Sequence, residues 1–198
     1  MAMTRHHPWS KRPSAQLGLT FIELMIALAI AGVLVAIAVP SMYEFIIRKR
    51  VQGATDELMG DLRLMRSIQM TNNRRVSITF SQNAEMSCYV IHAYSYFDSC
   101  ECLNTLSPVC TSGLSVPPEE YKTVRLLASN KVDLRPEVSS PSQVTLHAIT
   151  GMPMSTQPLS VAVTAPQGGS VKVSTNGAWQ LKACSVSKHN SAYAACPP

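Results

Sequence analysis

The stretch GLTFIELMIALAIAGVLVAIAVP, residues 18–40, decides how the rest of the chain is organised. Its apolar run from Leu19 to Val39 is interrupted by Thr20 and Glu23 near its start. As an α-helix, this run would be about 31 Å long, enough to cross the hydrocarbon core of one bilayer. A carboxylate inside such a segment costs about 2.5–3.5 kcal/mol on insertion scales, so the presence of Glu23 requires a specific reason.

The charged residues are distributed unevenly along the chain. Residues 1–18 contain Arg5, Lys11 and Arg12 and no acid, whereas the remaining chain holds 14 basic and 12 acidic residues. A basic flank before an apolar span is retained in the cytoplasm by the positive-inside rule, which places the larger C-terminal part on the other side. Because that part is nearly neutral, the formal net charge of +5 does not predict a broad nucleic-acid-binding surface.

Composition and cysteine usage favour a membrane-tethered domain in an oxidising compartment. The chain is 46% hydrophobic but only 15% charged, which is low in charge for a soluble globular domain. All six cysteines follow the apolar run. An even number of cysteines on one side of an anchor indicates, in a bacterium, the periplasm.

The segment Gly18–Glu23, GLTFIE, resembles the class III prepilin signal of type IV pilins and type II secretion pseudopilins, and Pro40 matches a proline deeper in the family's helix. The resemblance implies that a prepilin peptidase cleaves between Gly18 and Leu19 on the cytoplasmic side and then N-methylates Leu19. It also implies a filament in which Glu23 of one subunit faces the new amine of its neighbour. A buried charge is tolerable when it is paired, so this pair would set the register of packing.

This resemblance predicts three parts: a leader at residues 1–18, the transmembrane and filament-core half of a helix at 19–46, and a periplasmic pilin-like domain at 47–198. The expected partners are the inner membrane, the prepilin peptidase, and other minor and major pilins or pseudopilins. An unrelated signal-anchored periplasmic protein is the alternative, because a basic flank and an apolar span suit any signal anchor.

The residue pattern predicts a long helix followed by strands. Apolar residues recur at steps of three and four beyond Ser41, so the helix is predicted from Leu19 to Thr71, kinked near Pro40 because proline removes a backbone donor. Within it, Arg48-Lys49-Arg50 either touches lipid headgroups or is a solvated flank. The predicted fold class is α+β, a pilin-like long helix packed on antiparallel β-sheet structure.

Strands are predicted where the hydrophobic pattern changes to period two, and Asn176-Gly177 is a strong hairpin signal. The predicted strands are residues 75–80, 88–97, 121–128, 143–149, 159–165, 170–175 and 178–184. Residues 108–118 and 139–141 are predicted to be loops.

Two further segments resemble the GspH/FimT branch of the family. LMRSIQMTNNRRVSITF at residues 64–80 is similar to that branch's helix end and first strand, and GGSVKVSTNGAWQLKAC at 168–184 is similar to its last hairpin. The resemblance implies a minor pilin or minor pseudopilin that helps to prime or cap a type IV pilus or a type II secretion pseudopilus. Both systems use the same anchor, so the sequence does not choose between them.

The cysteines are expected to be structural. Many type IV pilins close a C-terminal loop with a disulfide, and Cys184 and Cys196, which flank eleven residues, fit that arrangement and would tie down the tail. Cysteines separated by one residue seldom bond to each other, so Cys88 and Cys110 are expected to pair with Cys100 and Cys102, in an order that the sequence does not choose. Their spacing lacks the paired C-x-x-C pattern of zinc sites, so no metal is predicted. These four are Cys88, Cys100, Cys102 and Cys110.

Catalysis is not predicted, because the chain has no Walker A or dinucleotide-binding glycine pattern and no G-x-S-x-G motif. No cofactor is predicted either.

DNA is the alternative partner, because some FimT-like minor pilins capture DNA with a C-terminal glycine-arginine motif. Gly177 matches the glycine of that motif, but no arginine follows it here. A modest basic-aromatic patch could still contact phosphates and bases. Ordinary solvated lysines and a core-packed tryptophan are the favoured interpretation. The patch would consist of Lys172, Lys182, Lys188, Trp179, Tyr193 and His189.

Overall fold

The structure is a computed structural model that describes residues 20–94, 98–104, 109–112, 118–138, 140, 142–187 and 192–197. The chain divides into two compact units, Met1–Ser41 and Met42–Pro198. The long helix α1, Phe21–Asn72, contributes its first part to one unit and its second part to the other. This confirms the predicted long helix. The helix continues through Pro40, and the kink there stays a prediction.

Within Met42–Pro198, the described residues form two four-stranded antiparallel sheets and one short ribbon. The strands are β1 Val76–Gln82, β2 Met86–Ala93, β3 Asp98–Cys100, β4 Cys110–Ser112, β5 Glu120–Leu127, β6 Asp133–Pro136, β7 Gln143–Leu146, β8 Ser160–Ala165, β9 Gly169–Thr175 and β10 Leu181–Ser185. The first sheet has the order β5-β2-β1-β7 and the second has the order β10-β9-β8-β6, while β3 pairs with β4.

The second part of α1 buries one apolar stripe. The stripe residues follow one another at spacings of three, four or seven positions, which keeps them on one face of the helix. Each is at most 2% exposed, and all join one core with the inward-facing residues of both sheets. The α+β fold is therefore confirmed, and it is consistent with a pilin-like architecture. The stripe consists of Ile47, Val51, Leu58, Leu62 and Met65.

Strand β2 is buried on both faces. Tyr89 on one face belongs to the main core, whereas Val90 on the other face packs in a second cluster made mostly of cysteines. That cluster contains the disulfides Cys88–Cys102 and Cys100–Cys110. The crosslinked segment after β2 thus covers the outer face of the first sheet, so β2 lacks the alternation of a half-exposed strand.

Three short strands were not predicted from the sequence. Asp98–Cys100 forms β3, just after the predicted strand 88–97. Cys110–Ser112 forms β4 inside the predicted loop 108–118, because its pairing with β3 is set by the crosslinked segment rather than by a hydrophobic pattern. Asp133–Pro136 forms β6, in which Leu134 is the one fully buried residue, so there is no alternation to detect. Pro136 is tolerated because β6 is at the edge of its sheet.

The last hairpin is closed by a longer loop than the predicted Asn176-Gly177 turn. Leu181 is the register partner of Thr175, which leaves residues 176–180 as the loop. The Asn176 side-chain oxygen accepts hydrogen bonds from the backbone N–H groups of Ala178 and Gln180, at 3.1 and 2.8 Å. These bonds compete with strand pairing, so the strand predicted at 178–184 begins at Leu181 instead.

Candidate functional site

The N-terminus of α1 is capped by the residues of the GLTFIE segment. The Thr20 hydroxyl oxygen accepts a hydrogen bond from the Glu23 backbone N–H at 3.3 Å, and the Thr20 carbonyl accepts one from the Leu24 N–H at 3.2 Å. Thr20 is therefore the N-cap residue and Glu23 the third residue of the helix, the spacing of a capping box. Sequence reasoning missed this local role, although the T-x-x-E spacing indicates it.

Glu23 also lies where a carboxylate is electrostatically favourable. It is in the first turn of α1, close to the positive end of the helix dipole. Among the described residues, no salt bridge involves Glu23. The predicted cleavage site, Gly18 and Leu19, and the predicted leader at residues 1–18 lie outside the described residues.

The apolar side chains that follow Glu23 are exposed. Phe21 is 75% exposed, Leu34 63% and Ile37 70%, which is not tolerated in water over so long a run. Of the helices in the described part of the chain, α1 is long and apolar enough to cross a membrane. Its first part therefore fits a membrane anchor.

A family model of the prokaryotic N-terminal methylation motif matches residues 13–39, which include Gly18, Leu19 and Glu23. This motif supports a type IV pilin-like protein. It implies processing by a prepilin peptidase and assembly with other pilins, and it is typical of structural subunits rather than of enzymes. No curated protein and no solved structure matches the chain.

A third disulfide, Cys184–Cys196, holds the C-terminal tail. The Ser185 N–H donates to the Ala194 carbonyl at 2.7 Å, so the tail also pairs with the end of β10. Tyr193 in this tail donates its hydroxyl to Asp56 on α1 at 2.8 Å. Burial and this hydrogen bond raise the pKa of Tyr193 to about 12. The tail is thus fastened to both the sheet and the helix.

One group of side chains resembles a metal site in its residue types and in the proximity of its potential ligand atoms. His92, Cys100 and Cys110 place their potential ligand atoms within 4.8 Å of one another. The two cysteine sulfurs are bonded to each other, so neither is available as a thiolate ligand. His92 Nε2 is 3.1 Å from the Thr79 hydroxyl oxygen. Within the described part of the chain, these three side chains therefore belong to the core around the disulfides.

The structure buries the tryptophan of the proposed DNA patch and pairs one of its lysines with an acid. Trp179 is 3% exposed and donates its indole N–H to the Leu62 carbonyl at 3.3 Å, which is the favoured interpretation of a tryptophan packed on the core. Lys172 is 2.7 Å from Glu137, and this hydrogen bond is the main cause of a lowered pKa of that carboxyl. Lys182 is exposed on β10. Lys188 and His189 lie outside the described residues.

We therefore expect little or no binding of duplex DNA at physiological salt in a gel-shift titration of residues 47–198. Any binding through Lys172, Lys182 and Lys188 should show a shallow log–log salt slope, about 3 or less in magnitude, because few phosphates would be neutralised. Replacing these lysines by glutamine should weaken it without changing sequence preference. Low-micromolar binding that this triple variant loses would instead favour a DNA receptor.

A buried ionic cluster that sequence reasoning missed joins α1 to the first sheet. Asp61 is 5% exposed and accepts hydrogen bonds from the Tyr89 hydroxyl and the Lys122 ammonium, each at 2.7 Å. Burial, and then the hydrogen bond to Asp61, raise the pKa of Tyr89 well above its ordinary value. The hydrogen bond to Asp61 is also the largest cause of a raised pKa of Lys122. The signal in the sequence was an acid within the apolar stripe, three residues after Leu58.

Lys122 also affects the open edge of the first sheet. It lies on β5, an edge strand of the first sheet, and its side chain points inward to Asp61. An inward-pointing charge on an edge strand discourages pairing with a further strand. The cluster therefore fixes the helix against the sheet and protects the open edge.

Proposed function

We propose that this protein is a minor pilin or minor pseudopilin of the GspH/FimT branch, which helps to prime or cap a type IV pilus or a type II secretion pseudopilus. The observation that carries the proposal is the methylation motif at residues 13–39, followed by an exposed apolar helix with Glu23 in its first turn. The similarity of residues 64–80 and 168–184 to that branch supports the finer assignment.

The mature subunit is held in the inner membrane by residues 19–46, with residues 47–198 in the periplasm. Three disulfides in the described residues support an oxidising compartment. During assembly, the apolar side chains of the anchor leave lipid and pack against the anchors of neighbouring subunits.

In this proposal, Glu23 pairs with the methylated amine of Leu19 in a neighbouring subunit. The exposed carboxylate has no salt bridge within the described residues, so it is available to a neighbour. A charge transferred into a filament core is stable only when it is paired. The pair therefore forms only when neighbouring subunits are packed in the correct register.

Replacing Glu23 with alanine should leave membrane insertion intact, since removing a charge makes the segment more apolar. Incorporation into sheared filaments should fall by at least about tenfold, because leaving one buried charge unpaired costs about 3–5 kcal/mol. The measurement is the ratio of filament-bound to membrane-bound protein by immunoblotting.

Glu23→Gln is the control that separates assembly from helix capping. Glutamine can cap the helix N-terminus as glutamate does, but it carries no charge for the neighbour's amine. We expect the glutamine variant to fail in assembly like the alanine variant. Normal incorporation of Glu23→Gln would assign Glu23 to capping and remove the pairing role.

A further inference from the structure

Three consecutive basic residues, Arg48, Lys49 and Arg50, lie on α1 shortly after the apolar run ends. Successive residues of an α-helix project about 100° apart and rise about 1.5 Å, so these side chains point in three directions at nearly one level. They therefore spread over about 200° of the helix circumference, and the remaining face at this level carries the buried Ile47 and Val51.

A fourth basic residue reaches this level from a distant part of the sequence. Lys131 follows the 3₁₀ turn Ala128–Asn130 and has a left-handed φ of 57°. Its ammonium hydrogen-bonds to the Tyr43 hydroxyl and lies 5.0 Å from the centre of that ring. Arg50 donates to the Asn130 carbonyl at 3.2 Å, so the turn is fastened to α1 at two points. We call Arg48, Lys49, Arg50 and Lys131 the basic collar.

The basic collar is mostly uncompensated by acids. Among the described residues, its one salt bridge joins Arg48 to Glu44 at 2.9 Å, and both side chains are more than one-third exposed. Aromatic rings accompany it: Lys49 lies 5.7 Å from the centre of the Phe45 ring, which is 54% exposed. Basic and aromatic side chains next to an apolar span are typical of the membrane–water interface.

We infer that the basic collar binds anionic phospholipid headgroups on the side of the membrane that holds Met42–Pro198. The inference rests on the membrane anchor in the proposed function. An acidic patch on a folded partner approaches a helix from one side and reaches only some of the collar. A headgroup layer contacts the whole solvent-facing arc of a spanning helix, so it reaches charges that are spread around that arc.

The positive charge of the collar is compatible with the proposed orientation of the protein in the membrane. The positive-inside rule acts on short loops, whereas long domains are translocated largely regardless of their charge. Once Met42–Pro198 has crossed, attraction to anionic lipid is local, and it weakens as salt rises. The collar thus holds the subunit at a fixed depth before assembly.

The test uses the full-length protein in phosphatidylcholine vesicles that contain trace spin-labelled phosphatidylglycerol or spin-labelled phosphatidylcholine. Electron spin resonance separates the lipid immobilised at the protein from the bulk lipid. At low salt, we expect phosphatidylglycerol to be preferred about fivefold. The preference should approach unity in the triple variant Arg48→Gln/Lys49→Gln/Lys131→Gln, in which Arg50 is kept because it supports the 3₁₀ turn.

A matched control removes three charges elsewhere on α1 and just after it: Arg63→Gln/Arg66→Gln/Arg74→Gln. This variant should retain the lipid preference of the wild type, and near-UV circular dichroism should show that both variants are folded. No preference in the wild type would overturn the inference and leave the collar to an acidic protein partner. Equal loss in both triple variants would also overturn it, because net charge alone would then explain the effect.

Vesicle flotation and carbonate extraction of the same samples test the anchor separately. Failure of the wild type to insert would contradict the proposed function. Insertion without a preference for phosphatidylglycerol would contradict only the collar.

Discussion

A Gly18→Phe variant is expected to accumulate as the uncleaved precursor in the presence of a prepilin peptidase, whereas the wild type loses residues 1–18. The bond between Gly18 and Leu19 lies in the matched methylation motif, and the phenyl ring would crowd this bond. Processing should therefore be lost rather than reduced. Co-expression with the peptidase, followed by N-terminal sequencing and mass measurement, should show a mature chain that begins with N-methylated Leu19.

Gly18→Ala is the matched control, because alanine is small and should be at least partly processed. Loss of the leader also removes Trp9 and leaves Trp179 as the one tryptophan in the chain, so tryptophan absorbance gives an independent measure of cleavage. Cleavage near Pro40, or an intact wild-type chain beside an active peptidase, would contradict the assignment to the pilin-like proteins.

An Asp61→Ala variant is expected to lower the free energy of unfolding by about 2–4 kcal/mol. The change leaves the buried Tyr89 hydroxyl without its acceptor and the Lys122 ammonium without its closer carboxylate. The loss should be smaller than for a fully buried pair, because the Lys122 side chain is 35% exposed and can turn toward water. Urea unfolding of the mature protein in detergent, followed by the fluorescence of buried Trp179, measures it.

Glu57→Gln is the control for this prediction, because Glu57 is a second acid on α1 that contacts Lys122. Glu57 is 3.4 Å from Lys122 and its side chain is 44% exposed, so its loss should cost no more than about 1 kcal/mol. Equal effects of the two substitutions would show that Asp61 acts only as one more surface charge. A loss in Tyr89→Phe smaller than in Asp61→Ala would show that leaving the Tyr89 hydroxyl and the Lys122 ammonium without the carboxylate costs more than leaving the carboxylate without the phenol.

The predictions that the structure confirmed rest on patterns of neighbouring residues. The helix beyond Ser41 was predictable because its apolar residues recur at helical spacing, and most strands were predictable from alternation. Alternation failed in β3, β4 and β6, which are only three or four residues long and fall outside the predicted strands. The loop at 176–180 was missed because the Asn176 side chain, rather than Gly177, organises the turn.

The sequence by itself determined the long apolar helix, the prepilin-like signal and the α+β class, because each depends on residues that are adjacent or regularly spaced in the chain. Only the tertiary structure decided the order of the central disulfides, the burial of Trp179, the partners of Asp61 and the place of Lys131 in the basic collar. These features join residues far apart in sequence. Their energies come from desolvation and from hydrogen-bond geometry, which exist only after α1 and the sheets have packed together.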